Sequence, residues 1–347
     1  MRRTWLKVAK KNRFVWRSAI VLLLVGMGCL VFGAEEKKAM QLQKKMDFYG
    51  QVLPVFKCGL HTHSTVSDGS FKPEEVIQKY ARAGYDVLAF TDHRKPNPVS
   101  TYDGQGMTLI SGMEIHPRGP RGLTWHLLAL GIPEDFPGKY STGQEAVDAV
   151  IGAGGIVYCA HPCWSTFSSH DILGLKGLTG IEVYNTNCKF IGRENSEECW
   201  YELIGAGWLC PALAVDDMHT DCDLFGGWTM VIAPDRKPAS IVKALKEGRC
   251  YATQGPEFTR LAWKDGVFEA EFSEAEEVLL LGCPGGEIVG TPGFPTPETK
   301  PRLTRCSYRP GPGFRGSIRC RIRDSQKRYA WTAPIAIDPP GTKKKER

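Results

Sequence analysis

Six of the eight histidines in this 347-residue chain lie within, at the end of, or just past a short apolar run rich in β-forming residues, often beside a carboxylate. No other feature constrains the fold as strongly. Polar groups at the ends of several strands meet when those strands lie side by side and share one rim, as in α/β barrels. The runs are DVLAFTDH, MTLISGMEI, TWHLLALGI, GIVYCAHP, GLTGIEVYN, LCPALAVDD and GWTMVIAP, several of them alternating with helical patterns. In KPEEVIQKYARAG, Pro73 and two glutamates suit a helix N-terminus and Gly84 a C-terminal cap. Thr142 and Glu145 form a capping box before AVDAVIGAG. Two further helices are expected in RENSEECWYELIGAG and in PASIVKALKEG, the latter ending at Gly248. Alternating strands and helices predict an α/β barrel.

The chemistry-bearing residues fall into groups. His61 and His63 alternate along an extended segment, so both face one side and can share an ion, with Asp68 following in a loop. Asp92 and His93 close a fully apolar run. Glu114 ends a mostly apolar strand, where an ionised carboxylate is costly unless paired or bound to a metal. His126 is expected within a strand and His161 at a strand end before Pro162. Asp217 and His219 repeat the alternation of the first pair, with Asp216 pointing elsewhere. Any one of these is more often an ordinary core histidine or a satisfied acid. Together, His61, His63, Asp68, His93, Glu114, His126, His161, Asp217 and His219 offer oxygen and nitrogen ligands suited to two or three divalent ions such as zinc, manganese or iron. His116 and His170 are read as surface or loop residues, and Arg118, Arg121 and Arg193 as exposed.

The order HxH, SDG, TDH, E, H, H and DxH resembles the polymerase and histidinol phosphatase (PHP) family, over residues 56 to about 255. It is most similar to the stand-alone metallohydrolases of that family, which have a trinuclear site. The resemblance implies a distorted (β/α)7 barrel in which Glu114 bridges two ions. One ion would take His61, His63, Glu114 and Asp217, a second Glu114, His126 and His161, and a third Asp68, His93 and His219. It further implies a phosphoesterase using metal-activated hydroxide, with Asp217, His219 and His161 as catalytic residues. The family also contains carboxylic-ester and carbamate hydrolases, and a non-catalytic exported metal- or ligand-binding protein is the alternative of another class. Exported CehA/McbA-type relatives are similar also in YATQGPEF and in a β-rich tail ending near AWTAPI, which implies a small C-terminal β-sandwich. Arg94 departs from the family, where Asp or Asn commonly follows TDH; its guanidinium would either grip an anionic substrate or face solvent.

Residues 1–34 carry seven basic groups and no acid, and the formal charge of +6 leaves −1 for the rest of the chain. A near-neutral body argues against nucleic acid as a partner. The basic groups precede SAIVLLLVGMGCLVFG, so residues 1–34 read as a signal peptide or an N-terminal membrane anchor. The body is then periplasmic, extracellular or membrane-anchored facing outside, acting on a small-molecule ester, with phosphorylated esters favoured. Residues 35–51 read as a linker, 52–255 as the barrel, 256–338 as the β-rich domain with a Lys264-Asp265-Gly266 turn, and 339–347 as a basic tail. Of the twelve cysteines, Cys29 lies in the apolar run and leaves an odd set of eleven, for which no full pairing follows. Cys58, Cys159 and Cys210 read as small buried hydrophobes.

Overall fold

Strands carrying uninterrupted apolar runs can be buried on both faces, and they organise this molecule. The computed structural model describes residues 43–283, 288–290, 302–311, 314 and 316–337. The expected signal or anchor over 1–34 and the tail over 339–347 lie outside the described residues.

One curled sheet positions the site. It contains β2 (Gln51–Gly59), β3 (Val87–Phe90), β4 (Thr108–Ile115), β5 (Leu127–Leu130), β6 (Ile156–Cys159), β7 (Gly180–Asn185) and β8 (Ala212–Val215), each strand pairing with the next. β9 (Trp228–Ile232) runs antiparallel to β2, and the Thr229 hydroxyl reaches the backbone of Ala214 in β8, accepting from its N–H at 3.2 Å and donating to its carbonyl at 3.0 Å. All strands from β2 to β8 run the same way except β5, which is antiparallel to both neighbours. The fold is therefore mixed α/β, and strands and helices do not alternate throughout. A short 3-10 turn at Val99–Thr101 lies between β3 and β4, and β4 passes to β5 without an α-helix.

The helices start where their sequences provide for it. In α1 (Pro73–Arg82) the Lys72 N–H donates to Glu75 at 2.9 Å, and Val76, Ile77 and Tyr80 are buried. Gly84 follows at φ +73, a conformation glycine adopts without steric cost. The capping box of α2 (Gly143–Gly152) is present, with Glu145 N–H donating to Thr142 Oγ1 at 3.2 Å. Two short helices, α3 (Pro162–Ser165) and α4 (Ser169–Leu173), follow β6; α5 (Glu197–Gly205) follows β7 and α6 (Pro238–Lys246) follows β9.

The C-terminal part is all strand: β10 (Cys250–Thr253), β11 (Phe258–Lys264), β12 (Val267–Ala275), β13 (Glu277–Cys283), β14 (Ile288–Gly290), β15 (Leu303–Tyr308), β16 (Gly316–Arg323), β17 (Tyr329–Thr332) and β18 (Ile335–Ile337). The β11–β12 hairpin turns at Asp265 (φ +51) and Gly266 (φ +74), two left-handed residues that match the twist of a tight hairpin. β10 joins β9 to β17, so this part continues the curled sheet. Its core is shared: Met230, Ile232 and Tyr251 pack with Phe258, Phe268, Val278 and Ile318.

The stretch 35–51, expected as a linker, holds β1 (Lys45–Phe48), which pairs with β2 and with β11. The polar composition of this stretch hid the strand, in which Met46 is 2 % exposed in that shared core. Phe48 is half-buried against the same core, and a strand of four residues with two apolar side chains leaves little periodicity to read.

Candidate metal centre

Parallel strands end on the same rim, and there the side chains gather. His61 and His63 follow β2, Asp92 and His93 follow β3, Glu114 closes β4, His161 follows β6, and Asp217 and His219 follow β8. His126 precedes β5 rather than lying within a strand. Because β5 is antiparallel, its beginning meets the rim where its neighbours end.

All nine residues singled out in the sequence come together. His61, His63, Glu114 and Asp217 form one group of facing ligand atoms, Glu114, His126 and His161 a second, and His63, Asp68, His93 and His219 a third. Glu114 stands at the centre, 1 % exposed. Its Oε1 lies 2.6 Å from His126 Nδ1 and 3.3 Å from His161 Nε2, while its Oε2 lies 2.8 Å from His93 Nδ1 and 3.5 Å from Nε2 of both His61 and His63. Each carboxylate oxygen thus faces a different set of imidazoles.

The ring orientations fit cations better than a plain hydrogen-bond network. His61 Nδ1 lies 2.6 Å from Glu182 Oε1, His63 Nδ1 3.5 Å from Ser67 Oγ, His161 Nδ1 3.2 Å from Ser165 Oγ, and His219 Nδ1 2.9 Å from the Asp217 carbonyl. These outward partners leave four Nε2 atoms turned into the cluster, the arrangement in which a ligating histidine gives its other ring nitrogen to an outer partner. Inside, the Nε2 atoms of His61 and His63 face each other at 3.0 Å. Asp217 Oδ1 sits 3.1 and 3.0 Å from them yet is buried without a well-formed hydrogen bond, as is His93 Nδ1. Buried polar atoms aimed at common points without partners are rare in native proteins, and this donor set suits an ion.

Charge reinforces this. Burial opposes a proton on His61, but Asp217 and Glu182 outweigh it and hold its pKa well above the ordinary value. Burial likewise opposes ionisation of Glu114 and Asp217, and the surrounding imidazoles hold both well below the usual carboxylate range. The acids are ionised at neutral pH. Asp216 points away, as expected, accepting from Tyr80 Oη at 2.8 Å and from the Phe225 N–H at 3.0 Å.

The backbone is strained where it delivers these groups. His161 (φ +26), Asp217 (φ +53) and Arg94 (φ +55) occupy the left-handed region, which costs a non-glycine residue energy and persists where surroundings enforce it. Asp217 N–H donates to the His61 carbonyl at 3.0 Å, and Arg94 N–H to the Glu114 carbonyl at 2.9 Å. Arg94 itself is exposed and lines a cavity of about 750 Å³ with Lys95, Lys139, Asp68, His93 and His116.

Two site residues escaped the sequence reading. His116, expected at the surface, has a side chain only 12 % exposed, with Nε2 3.6 Å from Glu114 Oε2 and its ring 4.5 Å from that of His93. It lies two residues beyond Glu114, and that spacing on one face was its available signal. Glu182, fully buried in β7, accepts from His61 Nδ1, from the His161 N–H at 2.8 Å and from Asn185 Nδ2 at 2.9 Å. An acid inside the apolar run GLTGIEVYN carried the same burial cost that marked Glu114. His170 is exposed on α4, Arg121 pairs with Asp171 at 2.9 Å, and Arg193 donates to the Cys163 carbonyl at 2.9 Å.

The PHP domain family model matches residues 59–154. A phosphoribosyl 1,2-cyclic phosphate 1,2-diphosphodiesterase of Eggerthella lenta is 35% identical over 83 residues, covering 22% of this chain and 32% of that protein. An uncharacterized protein of Methanocaldococcus jannaschii is 27% identical over 143 residues, covering 39% of this chain and 55% of that protein. The chain thus spans about a third and about half of the lengths of these curated relatives. Among solved structures, a two-domain protein of Bacteroides vulgatus containing a predicted PHP-like metal-dependent phosphoesterase covers 82% of this chain and 95% of its own at 18% identity, with a TM-score of 0.47. An amidohydrolase of Chromobacterium violaceum covers 47% and 88% at 19% identity, with a TM-score of 0.40. The segment of this chain that matches the PHP domain model, residues 59–154, carries His61, His63, Asp68, His93, Glu114 and His126.

Proposed function

We propose that this chain is a metal-dependent phosphoesterase whose site holds two or three divalent ions on His61, His63, Asp68, His93, Glu114, His126, His161, Asp217 and His219. The observation that carries the reading is the placement of Glu114, with each carboxylate oxygen facing its own set of imidazoles. That disposition suits a carboxylate shared between two cations. Zinc, manganese and iron all accept such nitrogen and oxygen donors. Divalent cations bound there supply Lewis acidity and lower the pKa of water toward neutrality.

The chain's own residues divide the remaining work. Hydrolysis forms a bond from water oxygen to phosphorus, breaks the bond to the alcohol oxygen, and delivers a proton to that oxygen. Asp217, held by Asn185 Nδ2 at 3.1 Å through Oδ2, borders a second cavity, of about 240 Å³, and is the acceptor for the water proton. His161 and His219 border the same cavity, and whichever of them is not engaged by a cation can return a proton to the departing alcohol. Arg94 and Lys139, without a carboxylate partner among the described residues, are available to anionic substrate oxygens. The cyclic phosphate diester named for the Eggerthella lenta relative favours phosphorus over a carboxylic ester as the reacting centre. We extend the proposal to a distorted (β/α)7 barrel with a small C-terminal β-sandwich and to an exported body, the latter resting on the basic and apolar residues 1–34.

The test is elemental analysis of the purified protein with assays on phosphomonoester, phosphodiester and carboxylester substrates, beside a His61→Ala, Glu114→Ala variant. Two or three ions per chain and phosphoester hydrolysis lost in the variant support the proposal. A protein that binds no metal, or binds metal and hydrolyses none of these, sinks it in favour of a ligand-binding role.

A further inference from the structure

Six large hydrophobic side chains stand exposed among the described residues, and three of them crowd one place: Trp164 (43 % exposed), Phe190 (70 %) and Ile191 (59 %). All three line the cavity of about 240 Å³ that is also bordered by His126, His161 and Asp217. Scattered exposed hydrophobes need no explanation, but three at the mouth of a polar, catalytically equipped cavity mark a surface that a ligand covers.

The lip is built onto the site. Phe190 and Ile191 end a 3-10 turn, Asn187–Ile191, whose Cys188 is buried and donates its N–H to Asn185 Oδ1 at 3.2 Å. Asn187 Nδ2 lies 3.0 Å from His219 Nδ1. Arg193 donates to the Cys163 carbonyl at 2.9 Å and so ties the turn to α3, which carries Trp164. The Trp164 ring stands edge-on to His126 and His161, with centroids 5.2 and 5.0 Å away. Across the cluster, beyond His93, lies the cavity lined by Arg94, Lys95 and Lys139. One side of the centre is cationic and the other apolar.

We propose that Trp164, Phe190 and Ile191 form the subsite for an uncharged, ring-bearing group on the alcohol part of the ester, so that the substrate class is aryl or similarly apolar phosphoesters rather than esters of small polyols. The inference rests on reading the site as an ester hydrolase. Stacking and edge contacts with rings of this kind give an aromatic group more than its buried area supplies.

The experiment compares 1-naphthyl phosphate with glycerol 3-phosphate on the metal-loaded full chain and on its Phe190→Ser and Ile191→Ser variants. Taking the ratio of the two kcat/KM values within each protein, then comparing ratios, cancels the intrinsic reactivity of the leaving groups. The ratio is expected to fall about tenfold in each variant, mostly through KM for the naphthyl ester. Calorimetric binding of naphthylphosphonate and methylphosphonate gives a readout without turnover, with the naphthyl affinity falling by a similar factor. Unchanged ratios and unchanged naphthylphosphonate affinity overturn the subsite. So does a dimer in light scattering that dissociates in the variants while the ratios hold, since the lip would then cover a second copy. Hydrolysis with unchanged ratios leaves the hydrolase reading standing, whereas lip-dependent phosphonate binding without any hydrolysis removes that reading and keeps the subsite.

Discussion

Glu182 Oε1 lies 2.6 Å from His61 Nδ1, both side chains fully buried, and the other oxygen of the same carboxylate accepts the backbone N–H of His161 at 2.8 Å. One acid from β7 thus fixes the ring of a residue after β2 and the strained backbone of a residue after β6.

Glu182→Gln keeps the size but must place an NH2 group where one of those donors points. The His61 ring then loses its fixed tautomer. Outer partners of this kind are worth roughly 10- to 100-fold in metal affinity. Competition titration with a chelating dye should show that loss, with the secondary structure intact by circular dichroism. Unchanged affinity would mean that His61 needs no such orientation.

Chelation tests the centre as a whole. Glu114 and Asp217 are buried carboxylates held in the ionised form, and the proposed cations would complete their compensation. Dialysis against a chelator is expected to lower Tm, and re-addition of zinc or manganese to restore it. The stabilisation is about 2.7 kcal/mol when free metal is about 100 times its Kd. A melting temperature indifferent to chelator in a protein shown to be metal-loaded beforehand contradicts this.

Arg94 is held by its surroundings. A Cβ at Gly138 would sit 2.0 Å from the Arg94 carbonyl oxygen, so Gly138→Ala must push the left-handed Arg94 turn aside. Overpacking of this kind costs about 1–3 kcal/mol. Arg94→Ala, by contrast, should leave Tm near wild type and raise KM for anionic esters about tenfold or more, the value of a charge-assisted hydrogen bond. Parallel melts and steady-state kinetics separate the two outcomes. An Arg94→Ala protein with wild-type KM would return Arg94 to a solvent-facing role.

Away from the centre, Glu197 on α5 joins Arg319 and Arg321 of β16 at 3.0 Å each and accepts from Trp331 Nε1 at 3.1 Å. Burial raises the Glu197 pKa, but the two guanidinium groups outweigh it and leave it below its ordinary value of 4.5. A carboxylate depressed in the folded state stabilises above its unfolded pKa, and that contribution is lost as pH falls through the folded value. Glu197→Gln leaves the buried Arg319 without its counter-charge and should cost about 3–5 kcal/mol at pH 7. The gap between wild type and variant in urea melts is expected to narrow as pH drops below 4.5, the ordinary value. A gap constant from pH 7 to 3 would show that the ion pair is not its source.

Much of the fold and of the site was legible because it is written in local pattern. The apolar runs of β3, β4 and β6, the Thr142–Glu145 box and the Asp265-Gly266 turn each follow from neighbours in sequence. The nine candidate ligands stood out because a polar group at the end of an apolar strand is expensive without a purpose. What only the tertiary structure decided depends on contacts between residues far apart in the chain. The reversed direction of β5, which brings His126 to the rim from the start of its strand, is set by pairing with β4 and β6. β1 exists because Met46 and Phe48 meet a core that includes residues of β11, a strand more than 200 residues away with which β1 pairs. Glu182 and His116 joined the centre, and Trp164, Phe190 and Ile191 its mouth, through the curl of the sheet. Sequence determined which groups could do chemistry, and packing determined which of them share a cavity, because a strand's own periodicity fixes the face of each side chain but not the strand it lies beside.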